Sequence, residues 1–267
     1  MIKFFRKIRQ NLLMENKTGK YFKYAIGEIV LVVIGILIAL SINNWNESRK
    51  DKAQEIVLLK QLRTEFQSNL EQLDEKIFIR QEIMNSVSRL LYYIDNPETR
   101  MKDSINKHVA LTIGYATFDP IVSDLSSSGG LKLLKNDNLK QLLSFWTSEI
   151  VQVTESEQTW YKYRTEIYLP FLVEHYQLRT ARHNLINTNY LKKYQTNKNT
   201  DSYLYKLGGI GTTKYPEDFN HLLNQPDYED HLTRCIVTNN ISDVQSTILR
   251  SRIVEILNLL ETEITNK

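Results

Sequence analysis

The chain has 267 residues, of which 42% are hydrophobic and 24% charged, a composition typical of folded proteins. The chain has only nine glycines and five prolines, and this scarcity favours long helices over a strand-rich fold. Its single cysteine excludes an internal disulfide framework. The net charge of +3 is uneven, because residues 1–23 hold seven basic residues and one acidic residue, whereas the remainder is acidic on balance. Basic charge beside an apolar run predicts contact with a membrane surface and argues against nucleic-acid binding.

Residues 1–23 are interpreted as a basic cytoplasmic segment, whose first 14 residues can form an amphipathic helix lying on the bilayer. An apolar run follows, and its residues 29–42 carry no charge. Aromatic residues stand at both borders, and residues 24–45 are long enough to cross the hydrocarbon core once. The sequence therefore predicts a single transmembrane helix in contact with the lipid bilayer.

The same run could instead be a cleaved export signal, since residues 39–41, ALS, resemble a cleavage site. We favour an uncleaved signal anchor, because the basic segment is too long for a signal peptide. The positive-inside rule then keeps the N-terminus in the cytoplasm. It predicts a single-pass protein of the cytoplasmic (inner) membrane, whose residues 46–267 form an extracytoplasmic domain in the periplasm.

Three residues of the apolar run are candidate contacts for a partner. Glu28 lies about one turn from the cytoplasmic border, so we interpret it as an interfacial acid, with contact to a membrane protein as the alternative. Gly35 and Ala39 form a small-xxx-small pair that would allow close approach of another helix. The predicted partner is a membrane or envelope protein, or a second copy of the chain.

Beyond the apolar run, apolar residues spaced alternately by three and four predict a long helix with a coiled-coil seam. This helix can continue directly from the membrane span, and DNPE at residues 95–98 should end it. The predicted seam consists of Ile56, Leu59, Arg63, Phe66, Leu70, Leu73, Ile77, Arg80, Met84, Val87, Leu91 and Ile94.

A second seam predicts another long helix, which Pro170 should kink or end near its close. Its members are Leu139, Leu142, Trp146, Ile150, Val153, Glu157, Trp160, Arg164, Ile167 and Phe171. If the first and second helices pack antiparallel, Glu157 faces Arg80 and Glu174 faces Arg63. A buried ion pair of this kind would specify alignment more than it would stabilise.

A third helix is predicted near the C-terminus, and residues 180–215 before it form a polar excursion with one short helix at about 187–194. The side of the third helix that is expected to pack carries Val244, Ile248, Ile253, Ile256, Leu257, Leu260 and Ile264. The fold class is therefore all-α: an N-terminal transmembrane helix followed by an extracytoplasmic bundle of long antiparallel helices. These long helices are expected at about residues 47–94, 136–178 and 242–265.

Residues 118–146, FDPIVSDLSSSGGLKLLKNDNLKQLLSFW, form the most distinctive stretch of the exported part. Ser127, Ser128 and Gly129 lie in a loop whose backbone N–H groups could bind a phosphate. The order of residues does not match a phosphate loop, so we favour a structural interpretation. A short helix would end at the glycines, and the second long helix would begin near Asp137. The three loop residues remain candidate partner contacts.

The sequence offers little for catalysis. His221, His231 and Cys235 lie within 15 residues, but their spacing matches no usual zinc pattern, and isolated surface histidines explain them better. Motifs of serine hydrolases, metalloproteases and phosphate loops are missing, and the glycines of LGGIGTT at 207–213 are interpreted as a turn. We therefore predict no catalytic residue, no metal site and no cofactor, and we expect that the chain is not an enzyme.

Three blocks carry a family resemblance. They are MENKTGKYFKYAIGEIVLVVIGILIALSINNWNE at residues 14–47, LSSSGGLKLLKNDNLKQLL at 125–143 and DFNHLLNQPDYEDHL at 218–232. In these blocks the chain resembles an uncharacterised family of single-span membrane proteins abundant in Bacteroidota. The resemblance implies an intact anchor, because the similarity runs through the apolar segment. It implies no activity, since the family is a domain of unknown function.

The leading functional hypothesis is a non-enzymatic envelope protein that binds or scaffolds through its helices. A periplasmic ligand sensor that signals through a membrane partner is the alternative, and the partner would supply the output because the cytoplasmic segment is short. A membrane-tethered hydrolase is the third hypothesis.

Overall fold

A computed structural model of the protein describes residues 18–122, 129–187 and 210–266. These residues form helices and connecting loops and include no strand, which confirms the all-α prediction for the described part. The chain divides into two compact units, Met1–Val57 and Leu58–Lys267.

Helix α1, Thr18–Asp95, is one uninterrupted helix of 78 residues. The apolar segment and the first predicted seam therefore lie on the same helix. α1 ends at Asp95, as DNPE predicts, because Pro97 restricts the residue before it. Pro97 also opens a short 3₁₀ turn, Pro97–Thr99.

The other helices of the described residues are α2 (Lys102–Thr112), α3 (Gly130–Leu133), α4 (Asp137–Tyr163), α5 (Leu169–His175), α6 (Leu178–Asn187), α7 (Phe219–Leu223) and α8 (Pro226–Thr265). A π-helical turn, Arg164–Tyr168, joins α4 to α5. α4 begins near the predicted residue because the side chain of Asn136 accepts a hydrogen bond from the N–H of Leu139 at 3.0 Å. α8 begins at Pro226 rather than near residue 242, since a proline suits the first turn of a helix.

Helices α1 and α4 run parallel in the second unit. The rings of Phe66 and Trp146 pack with centroids 4.8 Å apart, and further along both helices Arg80 pairs with Glu157. The antiparallel arrangement expected for these two helices is therefore wrong. The chain doubles back between them through α2 and an extended segment, so α4 starts beside the early part of the α1 seam.

Helix α8 is antiparallel to both of its long neighbours. Arg63 pairs with Glu261, and Asp74, further along α1, pairs with the earlier residue Arg250. Contacts between α4 and α8 follow the same opposite order. The bundle thus contains the long antiparallel helices that the sequence predicts, with α8 as the antiparallel member.

Two clusters of buried apolar side chains fill the second unit. One joins the later part of the α1 seam to α2, α5 and α7 around Trp160 and Tyr168. The other joins the earlier part of the seam to α4 and α8 around Phe66 and Trp146. Arg80, which is 1% exposed, lies on α1 between the two clusters.

Alternate positions of the predicted α1 seam are buried. These are Leu59, Phe66, Leu73, Arg80 and Val87. The other seam residues lie at the edge of the interface, and residues next to them are buried instead: Leu62, Asn69, Ile83 and Leu90. α1 contacts several helices, among them α2, α4 and α8, and also an extended segment, so its buried face is rotated relative to the apolar stripe.

Pro170 lies in the first turn of α5, and the helical stretch continues past it to the end of α5. Before the proline, the N–H of Leu169 bonds to the C=O of Arg164, five residues back. This π turn holds one more residue than an α turn and shifts the buried face by one position. Tyr168 is consequently buried, whereas the predicted seam residue Ile167 is 48% exposed.

Over residues 237–248, the polarity of α8 is the reverse of that of an ordinary surface helix. The residues facing the bundle are polar and at most 2% exposed: Asn239, Ser242 and Ser246. The outward residues are aliphatic and 49–66% exposed: Val237, Ile241, Val244 and Ile248. The expectation that Val244 and Ile248 pack into the bundle is therefore wrong, because the face beside Arg80 is filled by polar residues.

Two expectations fall partly on residues that the structure does not describe. α6 ends at Asn187, and the remainder of the helix predicted at 187–194 lies outside the described residues. The amphipathic helix predicted for residues 1–14 lies outside them as well. In the LGGIGTT turn, Gly211 has a φ of +74°, a conformation that glycine adopts easily.

Candidate functional site

Arg80 and Glu157 form an ion pair at the centre of the bundle. Both side chains are 1% exposed, and Arg80 Nη1 donates a hydrogen bond to Glu157 Oε1. The prediction that these two residues face each other is confirmed, although their helices are parallel. Because a buried charge is costly without a counter-ion, the pair favours one alignment of α4 on α1.

The second predicted pair, Glu174 with Arg63, is wrong. Arg63 Nη1 instead donates to Glu261 Oε2 of α8 at 3.1 Å. In the parallel arrangement, Arg63 lies beside the beginning of α4, whereas Glu174 is an exposed residue of α5 at the opposite end.

Helix α8 contributes two polar residues to the buried pair. Arg80 Nη2 donates to Ser246 Oγ, and Arg80 Nε lies 4.0 Å from Asp243 Oδ1. Among the described residues, neither Arg80 Nε nor Asp243 Oδ1 has a hydrogen-bond partner. One guanidinium therefore lies between two carboxyl groups.

Burial controls the protonation of both carboxyl groups. It raises the pKa of Glu157, although the charge of Arg80 and the N–H of Phe118 oppose the rise. Burial likewise raises the pKa of Asp243, with Arg80 and Gln81 acting in the opposite direction. The stabilisation linked to each raised pKa is present below the unfolded-state pKa and is lost as the pH rises through the folded-state pKa. Mild acid therefore favours the folded state through these two groups.

An extended segment, residues 114–122, returns the chain along α1 and is called the strap below. Three side chains on one face of α4 and the π turn hold its first half and Ile113, the residue just before it. Their contacts are Glu157 Oε2 with Phe118 N–H (2.7 Å), Trp160 Nε1–H with Gly114 C=O (3.1 Å) and Arg164 Nε–H with Ile113 C=O (2.5 Å). Glu157 thus links the ion pair to the strap.

Two amide side chains of α1 hold the second half of the strap. Asn69 Nδ2 donates to the C=O of Ile121, and Asn69 Oδ1 accepts from the N–H of the same residue, both at 2.8 Å. Gln72 makes the same two bonds with Asp119 at 3.0 Å. Each amide satisfies both backbone groups of a residue, as a neighbouring strand would. We call Asn69 and Gln72 the amide clamp.

Apart from Asp119, the exposed side chains of the strap are aromatic or aliphatic. Tyr115, Ile121 and Val122 are 46%, 57% and 46% exposed. The guanidinium of Arg164 lies 4.7 Å from the centroid of the Tyr115 ring. Side chains behind the strap thus fix its backbone, while Tyr115, Ile121 and Val122 remain at the surface together with Asp119.

The residues considered for a metal site have other partners. His231 Nδ1 bonds with the hydroxyl of Tyr163 at 2.8 Å, and His221 lies beside Gln225. Cys235 is fully buried, and burial raises the pKa of its thiol. Within the described ranges, no three His, Cys, Asp or Glu side chains come together in an arrangement that could hold a metal ion.

The apolar part of α1 exposes its side chains on every side. The large apolar residues between positions 26 and 42 are 46–63% exposed. By length and composition, this is the one helix among the described residues that could cross a membrane. Trp45 follows the apolar part, and the guanidinium of Arg49 lies 5.4 Å from the centroid of its ring.

The predicted partner contacts of the apolar segment lie along one side of α1. Glu28 is half-buried, and Ala39 is exposed. Around Gly35, nothing lies within 4 Å of the position that a Cβ would take. The side that carries Gly35 and Ala39 thus has room for a second helix.

The predicted loop contacts are only partly described. Ser127 and Ser128 lie outside the described residues. Gly129 has a φ of +72°, in the left-handed region, and precedes α3. The short helix that the sequence predicts to end at the glycines would precede Gly129, and residues 123–128 lie outside the described residues.

Sequence reasoning misses four polar residues of this site. They are Asn69, Gln72, Asp243 and Ser246. Asn69 and Ser246 do not stand in the predicted seams, but each continues a spacing of three and four with buried apolar residues of its own helix. Their partners are distant in sequence, so the spacing alone does not identify them.

The fold and the buried cluster define an α-helical bundle with two apolar core clusters and a buried ion pair, in which one helix is apolar enough to cross a membrane. Residues 28–141 match the model of a family of unknown function, DUF6090, which confirms the resemblance to an uncharacterised family over that range. The match includes most of α1, the strap and the start of α4. Searches of curated proteins and of solved structures gave no match.

Proposed function

We propose that this chain is a single-pass protein of the cytoplasmic (inner) membrane, with its N-terminus in the cytoplasm and its helical bundle in the periplasm. The observation that carries the proposal is the uncharged segment 29–42 of α1, whose apolar side chains are exposed on every side. In water, an exposed apolar surface of this size would be strongly unfavourable, whereas lipid accommodates it. The basic charge of residues 1–23 supports the orientation through the positive-inside rule.

The orientation is tested with alkaline phosphatase, a reporter that is active only outside the cytoplasm. We expect activity when it is fused after Lys267 and none when it is fused after Lys23, before the apolar segment. A reporter that works only in the cytoplasm, active after Lys267, would contradict the orientation.

We propose that the bundle acts by binding or scaffolding in the envelope and not by catalysis. The strap supports this proposal, because its backbone is fixed from behind and three of its four exposed side chains are Tyr115, Ile121 and Val122, the fourth being Asp119. A photo-crosslinking residue at position 121 should capture an envelope protein in intact cells. The same residue in place of Gln158, an exposed position on α4, is the matched control. Equal labelling from both positions would contradict binding at the strap.

A ligand sensor acting through a membrane partner is the second candidate. The continuity of α1 from Thr18 to Asp95 favours it, because the same helix carries the apolar segment and Arg80. Gentle solubilisation separates the two functions. A stoichiometric protein partner supports the scaffold, whereas a partner-free chain that retains a small molecule supports the sensor.

A further inference from the structure

A shallow groove runs along the apolar part of α1, within the first of the two units. Its lining residues follow one another closely on one side of the helix, and all but one of them are aliphatic or aromatic. They are Ile34, Leu37, Ile38, Ser41, Ile42 and Trp45. The groove ends at the Trp45 ring, where the uncharged stretch gives way to polar residues. A hydrocarbon chain lying along α1 fits such a surface.

Two cations continue the same side of α1 beyond the groove. Arg49 and Lys52 follow Trp45 at intervals of four and three residues, which places them within about 40° of it around the helix axis. Both are exposed, and the guanidinium of Arg49 lies over the Trp45 ring, 5.4 Å from its centroid. Side chains of a helix lean toward its N-terminus, so both cations extend back toward the groove. An apolar groove, an aromatic ring and positive charge thus follow one another along one line.

The remaining charged residues of this region face other directions. Glu47, Lys50 and Asp51 lie about 120–160° from Trp45 around the helix axis. Glu55, the next acidic residue along α1, is 1% exposed. The side of α1 that carries the groove is therefore positive just beyond Trp45.

We propose that this side of α1 binds one molecule of an acidic phospholipid, an inference that rests on the membrane location proposed above. An acyl chain lies in the groove, the glycerol region lies beside Trp45, and the phosphate contacts Arg49 and Lys52. The lengths agree, because Ile34 and Trp45 are about 16 Å apart along the helix axis and one leaflet supplies about half of the roughly 30 Å hydrocarbon core.

Other occupants fit this side of α1 less well. Close approach of a second helix needs small residues, and the pair Gly35 and Ala39 lies about 80–120° away from Trp45. A second copy of the chain in the same orientation would also bring Arg49 and Lys52 against its own equivalent cations. A zwitterionic lipid has no net charge to balance two cations. Charge complementarity therefore selects an acidic headgroup.

Native mass spectrometry of the full-length chain in detergent tests the site, with equal amounts of phosphatidylglycerol and phosphatidylcholine added. We expect the wild-type chain to retain one phosphatidylglycerol in preference to phosphatidylcholine. Arg49→Gln and Lys52→Gln should each lower the ratio of the two retained lipids about fivefold, because each removes one cation from the phosphate. Lys50→Gln is the matched control, since it removes the same charge from another side of the helix and should leave the ratio unchanged.

A photoreactive lipid gives a second measurement. Phosphatidylglycerol with a diazirine on its acyl chain should label the groove residues Ile38 and Ser41 in vesicles that contain the full-length chain. Ala39 lies on the other side of α1 and should be labelled less. Equal labelling of the three residues would overturn the proposal, because the acyl chain would then have no preferred side.

Equal retention of the two lipids by the wild-type chain would also overturn the proposal. So would an equal loss of preference in Lys50→Gln and Lys52→Gln, because general charge attraction would then select the lipid. Either result leaves the proposed membrane location intact as long as the chain stays in carbonate-washed membranes. Loss of the wild-type chain from those membranes would contradict the location itself, and the lipid site with it.

Discussion

At the residue scale, Arg80 is held between Glu157 and Asp243, so removal of its charge leaves two buried carboxyl groups without a counter-ion. We expect Arg80→Met, which keeps an unbranched apolar side chain, to lower the free energy of unfolding by about 3–5 kcal/mol. The measurement is denaturant unfolding of the full chain in detergent. It can follow the fluorescence of Trp146 and Trp160, which are 3% and 2% exposed.

A double variant distinguishes the effect of breaking the ion pair from a general loss of packing in the bundle. Adding Glu157→Gln to Arg80→Met removes the more deeply buried of the two uncompensated carboxyl groups and keeps a carbonyl oxygen for the N–H of Phe118. We therefore expect the double variant to be more stable than Arg80→Met alone. Additive losses would contradict a coupled pair.

His108 gives a pH dependence of the opposite sign from that of the buried acids. Its Nδ1 lies 3.2 Å from Ser86 Oγ, and burial, followed by the charges of Lys107 and Arg89, lowers its pKa from 6.5 to about 4. In the unfolded chain the imidazole of His108 binds a proton near pH 6.5, whereas in the folded chain it is protonated only near pH 4. The stabilisation is therefore present above pH 6.5 and is lost as the pH falls toward 4.

For this histidine we expect a loss of about 1–2 kcal/mol across that window, after allowance for its partial exposure to solvent. Comparison of the wild-type chain with His108→Gln at pH 7 and pH 4.5 isolates this contribution, because the other titrating groups are common to both proteins. The variant should lose less stability on acidification. If both proteins lost the same free energy of unfolding between pH 7 and pH 4.5, the lowered pKa of His108 would be contradicted.

At the element scale, the strap depends on the amide clamp. Asn69→Ala removes both bonds to Ile121 and leaves two backbone groups without their partner. We expect a loss of about 1–3 kcal/mol. Hydrogen exchange of the strap amides should be slow in the wild-type chain and fast in the variant.

Asn85→Ala is the matched control for the clamp, because Asn85 is an exposed residue of the same helix. This variant should leave the hydrogen exchange rate of the strap amides unchanged. Its free energy of unfolding should stay within about 0.5 kcal/mol of that of the wild-type chain. Slow exchange of Ile121 in Asn69→Ala would mean that something other than the clamp protects the strap.

The long helices follow from the sequence, whereas their buried faces follow only in part. Apolar spacing and DNPE predict α1 and its end, because these signals are local. The π turn before Pro170 shifts the buried face by one residue, and a heptad count cannot detect it. On α8, two faces share the same spacing, so the choice between them depends on Arg80 of another helix.

At the scale of the whole molecule, the apolar segment of α1 should decide where the protein is found. Ile36→Arg places a charge near the middle of the uncharged stretch, at a cost of about 3 kcal/mol for membrane insertion. We expect a smaller fraction of the chain to remain in carbonate-washed membranes. Val57→Arg is the control, because Val57 is an apolar residue of α1 that is also exposed, at 56%, and lies beyond the segment.

The order of helices in the bundle could not be predicted from the seams. Two seams of similar length fit together in either direction, and Glu157 meets Arg80 in the parallel arrangement as well. The direction is decided by the strap, whose bonds to α1 and α4 involve backbone groups and polar side chains. Apolar periodicity carries no information about such contacts.

The buried arginine also bears on how the chain acquires its structure during synthesis. Arg80 is separated from Glu157 by 77 residues and from Ser246 by 166 residues. At usual rates of synthesis, Ser246 emerges roughly ten to thirty seconds after Arg80. Until then the guanidinium has to stay hydrated, which delays closure of the bundle around it. Contacts this distant in sequence form late in folding, so changes at Arg80 should accelerate unfolding far more than they slow folding.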